Sequence, residues 1–486
     1  MNKSWKLILG LSAILATNNA FAYQEPSSNN SKLKLEACHL EGIKTQVKCG
    51  TLEVPENYSE LDGKTLSINF AILPAIDSST YKEPLMFLAG GPGQAAVELA
   101  AQIRRSYTEI RKTRDIILVD QRGTGKSHPL QCEDAVEMNA YELIPEDFNK
   151  KEVETCLASF NENLSQFTSE NAVRDFDEVR KALGHEQINI YGGSYGTRAG
   201  LVYLKLFPNS IKNAVLDSVG PIEVPIGTFG LSAERSFNKL KENCQASESC
   251  QKAYPNLAEE FQQLAARLEK TPKEVTIAHP RLGTPTKFVI TKSKLIANIR
   301  MQLYSMQTRS MVPLIIHQAY LNNYSPLAGI IAQADGGMSM YIGLTFNIVC
   351  NEDFPRVTAQ MLTEDADNKF GQANSHMSFS MACPMWPTYE VADAFYQPVT
   401  ANVPTLILSG DLDPVTPPSN GEYPEKTLPN SRHIISENNA HIVASTTCAI
   451  KLINEFLTKG SSDDLDDSCL AELPKPSFMT SLNGSL

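Results

Sequence analysis

Several features that mark other protein classes are absent from this chain of 486 residues. It has no internal repeat and no long low-complexity tract, so repeat architectures and disordered proteins are excluded. Beyond the amino-terminal segment, no apolar run is long enough to span a bilayer. None of the eight histidines stands in a metal-ligand spacing such as H-E-x-x-H, so we predict no metal and no cofactor. A hydrophobic fraction of 42% is enough for a large core and predicts a soluble globular protein.

Positive charge is also scarce. The chain carries 43 lysines and arginines against 55 aspartates and glutamates, for a net charge of −12. The net charge becomes −14 if Lys3 and Lys6 are removed with the leader described below. A protein of this charge repels polyanions, so a nucleic-acid partner and an anionic membrane surface are both disfavoured.

The first 22 residues have the pattern of a signal peptide. Lys3 and Lys6 form a basic start, residues 7–16 form an apolar run too short to span a bilayer, and residues 20–22 read Ala-Phe-Ala. No cysteine stands at the cleavage point, so a lipid anchor is not expected. We predict export to the periplasm or the medium, with the mature chain beginning at Tyr23.

Export changes the interpretation of the ten cysteines, because an oxidising compartment favours disulfides over metal sites and reactive thiols. Ten cysteines allow about 945 pairings, so the sequence alone leaves the connectivity open. Short loops favour pairing between neighbours along the chain. The expected pairs are Cys38 with Cys49, Cys132 with Cys156, Cys244 with Cys250, Cys350 with Cys383, and Cys448 with Cys469.

One glycine is missing from a segment that otherwise resembles a phosphate-binding loop. Residues 120–127 read Asp-Gln-Arg-Gly-Thr-Gly-Lys-Ser and follow an apolar strand. The pattern G-x-x-x-x-G-K-[ST] requires glycine at position 120, where this chain has Asp120. The carboxylate would repel a phosphate, so nucleotide binding is rejected.

The most informative motif is Gly-Gly-Ser-Tyr-Gly at residues 192–196. It follows the apolar run 188–191 and precedes the helix-prone segment 197–207, which is the context of a G-x-S-x-G nucleophile elbow. Such a turn presents the serine hydroxyl above a sheet. Ser194 is therefore the candidate nucleophile.

An acid and a histidine follow in the chain order that such a serine requires. The predicted strand 403–409 leads into a loop that carries Asp413, and the segment 433–436 leads into a loop that carries His441. His441 could accept the serine proton while Asp413 fixes its tautomer. Asp411 is a rival acid, although a turn role suits it better.

An oxyanion hole needs two backbone N–H donors. One is expected from Tyr195, directly after the nucleophile. The other is expected from Gly91 in the segment Gly-Gly-Pro-Gly at residues 90–93, which follows the predicted strand 85–89. Pro92 has no N–H and cannot serve.

Taken together, residues 90–93, 120–123, 192–196, 410–414 and His441 resemble the prolyl iminopeptidase and tripeptidyl aminopeptidase family, and the length is closer to the tripeptidyl branch. The resemblance implies an α/β-hydrolase fold, with a mostly parallel sheet flanked by helices and an inserted, mainly helical cap. It also implies that acidic side chains of the cap, here Glu352 first and Asp353 second, receive the free amino terminus of a peptide substrate. One departure is residues 439–442, Asn-Ala-His-Ile, where relatives usually have glycine beside the histidine.

The expected organisation is a signal peptide at 1–22, a first part of the core at 23–220, a helical cap at 221–400 and a second part of the core at 401–486. The expected activity is that of an exported serine aminopeptidase acting on peptides, and a monomer is favoured. A carboxylesterase or lipase would use the same three residues. A non-catalytic binding protein on the same fold is the more distant alternative.

Overall fold

The computed structural model describes residues 33–80, 82–132, 150–278, 283–333, 340–366, 370 and 375–483. The predicted leader lies outside these residues. The strands are β1 Leu33–Cys38, β2 Val47–Pro55, β3 Thr65–Leu73, β4 Lys82–Leu88, β5 Arg114–Val119, β6 Ile188–Gly193, β7 Ile211–Asp217, β8 Lys273–Ala278, β9 Pro285–Ile290, β10 Thr405–Gly410 and β11 Ser431–Ser436.

Nine of these strands form one sheet in the order β1-β2-β3-β5-β4-β6-β7-β10-β11. The first three pair antiparallel, and β3 also pairs antiparallel with β5. From β5 to β11 every pairing is parallel. The central strands β6 and β10 are buried along their whole length, as expected for parallel strands with helices on both faces. The predicted mostly parallel sheet is confirmed.

Helices connect the parallel strands and cover both faces of the sheet. The helices of the core are Ala100–Ser106, Thr108–Arg111, Lys150–Ala158, Ser169–Ala182, Tyr195–Leu206, Pro418–Thr427, Thr447–Lys459 and Ser468–Ala471. The helix before the nucleophile motif buries Val173, Phe176 and Val179 at helical spacing. It ends before Gly184, which adopts a φ of 79° suited to glycine after a helix end.

The segment between β7 and β10 is mainly helical. Its helices are Gly230–Ala246, Glu248–Ala253, Leu257–Lys270, Lys292–Gln302, Met306–Arg309, Val312–Tyr320, Ser325–Gln333, Ile342–Ile348, Ala359–Ala366, Ser375–Ala382 and Asp393–Tyr396, with a π-helical turn at Val349–Asp353. The antiparallel hairpin β8–β9 was not expected from the sequence.

This inserted segment packs in two different ways. Its first part builds a hydrophobic core of its own, with Phe237, Phe261 and Leu327 among its buried members. Its second part packs instead into the core beside the sheet, through residues such as Phe346 and Trp386. The insertion therefore contains one layer with a separate hydrophobic core, to which Phe478 of the carboxyl-terminal segment also contributes, and one layer that is continuous with the sheet core.

The residues that resemble a phosphate-binding loop form a structural turn. Asp120 accepts hydrogen bonds from the Asn69 side chain at 2.7 Å and from the Val97 N–H at 2.9 Å. Arg122 is fully buried and donates from two nitrogens to Asp175 at 2.7 Å each. The motif therefore joins two buried charged groups to the sheet and the helix beside it.

All ten cysteines are described and form the five expected neighbour pairs. The two cysteines of each pair are separated by 33 positions or fewer in the sequence. Among the described residues, no helix is long and apolar enough to cross a membrane. In the same part of the chain, no cluster of three or more histidines, cysteines and acidic residues could hold a metal ion.

We predict that all ten cysteines of the isolated protein are oxidised. Alkylation without reduction should add no mass, and alkylation after reduction should add ten alkyl groups. Replacing Cys350 and Cys383 together by serine should lower the free energy of unfolding by about 2–4 kcal/mol, because the bond restricts the unfolded chain. Several alkylated cysteines in the unreduced protein would contradict the prediction.

Candidate active site

Ser194 lies at a sharp turn between β6 and the helix Tyr195–Leu206, with φ 57° and ψ −127°. A positive φ is uncommon outside glycine and marks a constrained backbone. The turn depends on two close approaches. A Cβ on Gly192 would lie 2.2 Å from the Gly196 carbonyl oxygen, and a Cβ on Gly196 would lie 2.1 Å from the Leu88 carbonyl oxygen. Only glycine fits at both positions, which explains the motif.

Asp413 lies on the loop after β10 and is fully buried. One carboxylate oxygen accepts from the N–H groups of Val415 and Thr416 at 2.8 and 2.9 Å, and the other accepts from the Thr416 hydroxyl at 2.8 Å. That second oxygen also lies 2.8 Å from Nδ1 of His441. Burial alone would raise the pKa of Asp413, but His441 and these N–H groups outweigh it and hold the pKa below its usual range.

His441 lies on the loop after β11, and its backbone N–H donates to the Tyr304 carbonyl at 3.0 Å. The Tyr304 ring meets the imidazole edge to face, with ring centres 5.1 Å apart. Burial would lower the pKa of His441, but the charges of Asp413 and of Asp217 outweigh it and raise the pKa. Because Nδ1 bonds to Asp413, Nε2 is the nitrogen left for a proton-transfer partner.

The rival acid, Asp411, does not contact the imidazole through any observed hydrogen bond. Its carboxylate pairs with Arg235 at 2.6 Å and also with Lys239, both on the helix Gly230–Ala246. Asp411 therefore attaches the cap to the loop that carries Asp413. The structure brings Asp413, and not Asp411, to His441.

Gly91 and Tyr195 line the same cleft as Ser194. Tyr195 is the first residue of its helix, where no preceding turn supplies an acceptor for the N–H group. Gly91 has a φ of 114°, a conformation that L side chains rarely adopt. A Cβ on the neighbouring Gly90 would lie 3.4 Å from the Ser194 Cβ, so this loop runs directly beside the nucleophile turn. The oxyanion role of both N–H groups stays a prediction.

A cleft that is open to solvent lies beside Ser194. Its apolar wall is formed by Pro221, Val224, Pro225, Ile226, Phe229 and Val415. Its polar side chains include Thr228, Ser232, Thr416 and Asn420. Among the described residues that line this cleft, none carries a carboxylate.

A buried ion pair holds the apolar wall in place. Arg198, one helical turn after Ser194, donates to both carboxylate oxygens of Asp353 at 2.8 Å. Its other terminal nitrogen donates to the carbonyls of Pro221 and Val224 at 3.0 and 2.9 Å. Asp353 also accepts the Ile226 N–H at 3.0 Å. The wall is thereby fixed to the helix that follows the nucleophile.

Glu352 lies in the π-helical turn and is also buried. Its two oxygens accept from the N–H group and the hydroxyl of Ser169 at 2.8 and 2.6 Å, and the Ser169 hydroxyl lies 2.7 Å from the Tyr195 hydroxyl. Burial raises the pKa of Glu352 to about 7. Neither Glu352 nor Asp353 lines the cleft, so their amino-terminus role stays a prediction that this geometry does not favour.

Sequence reasoning missed three residues of this site. Thr416 donates to Asp413 and lies 3.2 Å from Nδ1 of His441, so it touches both groups. An Asx-type turn after Asp413 could have been inferred from the Asp-Pro-Val-Thr sequence. Tyr304 and Arg198 are distant in the chain from Asp413, and no local pattern identifies them.

Two family models match the chain. The first, described as alpha/beta hydrolase fold, matches residues 83–306. The second, described as TAP-like protein, matches residues 368–469. The first match contains the nucleophile turn, and the second contains the loops that carry Asp413 and His441.

Curated relatives extend the similarity. A tripeptidyl aminopeptidase of Streptomyces lividans is 30% identical over 191 residues, which cover 36% of this chain and 35% of that protein. The serine protease Hip1 of Mycobacterium tuberculosis is 24% identical over 76% of both chains. A proline iminopeptidase of Aeromonas sobria is 32% identical over 28% of this chain and 29% of its own.

The similarity to the tripeptidyl aminopeptidase thus spans about a third of that relative's length. The segments that the two family models match nevertheless contain much of the sheet, the turn at Ser194 and the loops of Asp413 and His441. The chain has an α/β-hydrolase fold, and its sequence is similar to peptidases that include tripeptidyl aminopeptidases and proline iminopeptidases.

Proposed function

We propose that the protein is a serine aminopeptidase that releases single residues or short peptides from substrates with a free amino terminus. The observation that carries the proposal is the hydrogen bond of 2.8 Å between His441 and Asp413 beside a cleft lined by Ser194 and Thr416. A serine, a histidine and a carboxylate that is hydrogen-bonded to the histidine are the groups that carry out acyl transfer in serine hydrolases.

In the proposed reaction, the Ser194 oxygen attacks the scissile carbonyl carbon while His441 accepts the hydroxyl proton. The negative charge that develops on the carbonyl oxygen is stabilised by the N–H groups of Gly91 and Tyr195. His441 then gives its proton to the leaving amine as the carbon–nitrogen bond breaks. Water, deprotonated by the same histidine, hydrolyses the acyl-enzyme and restores the serine.

The lining of the cleft supports a preference for apolar side chains beside the scissile carbonyl. Val224, Ile226 and Phe229 would bury such a side chain, and burial contributes roughly 25 cal/mol per Å² of apolar surface. A charged side chain packed against this apolar wall would lose hydration, which costs free energy. We therefore propose peptides with an apolar residue at the cleavage point as the substrate class.

Export is part of the proposal. The five disulfides of the described residues support an oxidising compartment, and the basic and apolar pattern of residues 1–22 supports a cleaved leader. The periplasm or the medium is the proposed location.

A carboxylesterase is the second candidate, because one wall of the cleft is apolar and the described lining contains no carboxylate for an ammonium group. Similarity to named peptidases favours the first candidate. The two candidates differ in whether a free amino group on the substrate matters.

Substitution of the nucleophile and of the base should each remove activity. We expect Ser194→Ala and His441→Ala to lower kcat by several orders of magnitude with an unchanged melting temperature, because the groups act as a unit. His433→Gln is the matched control, since His433 bonds to Ser409 and Glu425 and should keep wild-type activity. A serine-reactive phosphonate should label Ser194. Labelling of another serine, with Ser194→Ala fully active, would remove the hydrolase assignment.

Substitution of the two aspartates in the loop after β10 should have very different effects on kcat. Asp413→Asn should lower kcat by about 10⁴-fold, since the amide no longer stabilises the imidazolium. Asp411→Asn leaves the hydrogen bonds of Asp413 intact. Its kcat should therefore fall much less, and only because the cap is attached more weakly. Measuring kcat for both folded variants tests which aspartate is the acid. A larger decrease in kcat for Asp411→Asn than for Asp413→Asn would identify Asp411 as the acid.

Acetylation of the substrate amine separates aminopeptidase from esterase. N-acetylating a good peptide should nearly abolish turnover by an aminopeptidase, because acetylation removes the positive charge by which such an enzyme distinguishes a free amino terminus. Glu352→Gln should penalise free peptides more than simple acyl esters if Glu352 binds the amine, and should affect both alike if it only supports Ser169. Equal turnover of free and acetylated peptides would overturn the aminopeptidase assignment and favour the esterase.

A further inference from the structure

Asp217 occupies a central place that the proposed reaction does not use. It is the last residue of β7, which lies between β6 and β10 in the sheet. The pairing register places it beside Gly193 on one side and Leu408 on the other. Its carbonyl oxygen accepts the Ser194 N–H at 3.0 Å. Its backbone therefore helps to hold the nucleophile turn.

The side chain of Asp217 holds the histidine loop. One carboxylate oxygen accepts the Val443 N–H at 2.9 Å, and the other accepts the Ala444 N–H at 2.8 Å. The hydroxyl of the next residue, Ser218, accepts the Ile442 N–H at 2.8 Å. The backbone N–H groups of the three residues after His441 thus all donate to the side chains of Asp217 and Ser218.

These bonds support a conformation that the loop would not otherwise keep. Ile442 has a φ of 66°, which is a genuine outlier for a β-branched residue. Such a strained backbone persists only where surrounding contacts enforce it. Ile442 directly follows His441, so the contacts that enforce its backbone also set the position of the imidazole. The enforcing contacts here are the bonds from Asp217 and Ser218.

The charge of Asp217 also acts on His441. The carboxylate is fully buried, and it also accepts from the Tyr191 hydroxyl at 2.8 Å. The pKa of Asp217 is raised overall, because burial outweighs its N–H donors, Tyr191 and His441, which lower the pKa. The charged groups that act on His441 are Asp413 and Asp217, and both stabilise the imidazolium form.

We propose that Asp217 is a positioning residue that fixes Ser194 and His441 to one strand end and stabilises the protonated imidazole. The inference rests on the proposed serine hydrolase function. The backbone of this one residue aligns the nucleophile, and its side chain aligns the base.

The test compares Asp217→Asn with the wild-type protein in reaction with a phosphonate, followed by mass spectrometry of Ser194. The amide can accept only one of the two loop N–H groups and carries no charge. We expect the rate of inactivation to fall by about 10²-fold, the loss typical of a misplaced catalytic group. In the pH profile of the inactivation rate of Asp217→Asn, the acidic limb should also move to lower pH, because the imidazolium of His441 loses a stabilising charge. Thermal unfolding checks that the variant is folded.

Asp115→Asn is the matched control. Asp115 accepts the Ala75 N–H at 2.7 Å near the start of β5, at the opposite end of the parallel strands, so its variant should react at the wild-type rate. If Asp217→Asn does not fold, Tyr191→Phe and Ser218→Ala each remove one bond from the same cluster. Each should then slow inactivation several-fold, and Tyr191→Phe should leave the Ile442 bond in place.

The outcomes separate the two proposals. A wild-type protein that is not labelled at Ser194 overturns the proposed function and this inference with it. A labelled wild type whose folded Asp217→Asn variant keeps the same rate and the same pH limb overturns this inference alone. The inference is likewise overturned if Tyr191→Phe and Ser218→Ala, tested in its place, both behave as wild type.

Discussion

The active-site geometry depends on the parallel alignment of β6, β7, β10 and β11. Hydrogen bonding along these strands sets Gly193 beside Asp217, Asp217 beside Leu408, and Leu408 beside Ile434. Neighbouring strands lie about 4.8 Å apart, so loops that leave their carboxyl ends meet at one edge. Ser194, Asp413 and His441 follow three of these strands. The fourth, β7, ends in Asp217, which bonds to the nucleophile turn through its backbone and to the histidine loop through its side chain.

Much of this arrangement could be predicted from the sequence, because the decisive patterns are local. Gly192 and Gly196 are required by close approaches within and beside the turn, so the motif encodes the turn itself. The strand before the motif and the strands before Asp413 and His441 are apolar runs bounded by turn residues, which local patterns identify well. The disulfides join neighbours in the chain, where the expectation of short loops was sufficient.

Other features depend on contacts between distant segments and could not be predicted. The acidic pair Glu352 and Asp353 can be recognised in the sequence, but its orientation cannot. A buried carboxylate requires a partner, and the partners, Ser169 and Arg198, come from two helices far away in the sequence. The result is an inward-facing pair where a cleft-facing pair was expected.

Trapping the acyl-enzyme during turnover tests most directly whether Ser194 is the nucleophile that accepts the acyl group of a substrate with a free amino terminus. The protein is mixed with a tripeptide ester that has a free amino terminus, quenched in acid within the first turnover and mapped by mass spectrometry. The tripeptidyl group should be found on Ser194, and reaction with the N-acetylated ester should leave little or no acyl group there. An acyl group on another residue, or equal acylation by both esters, would contradict this expectation.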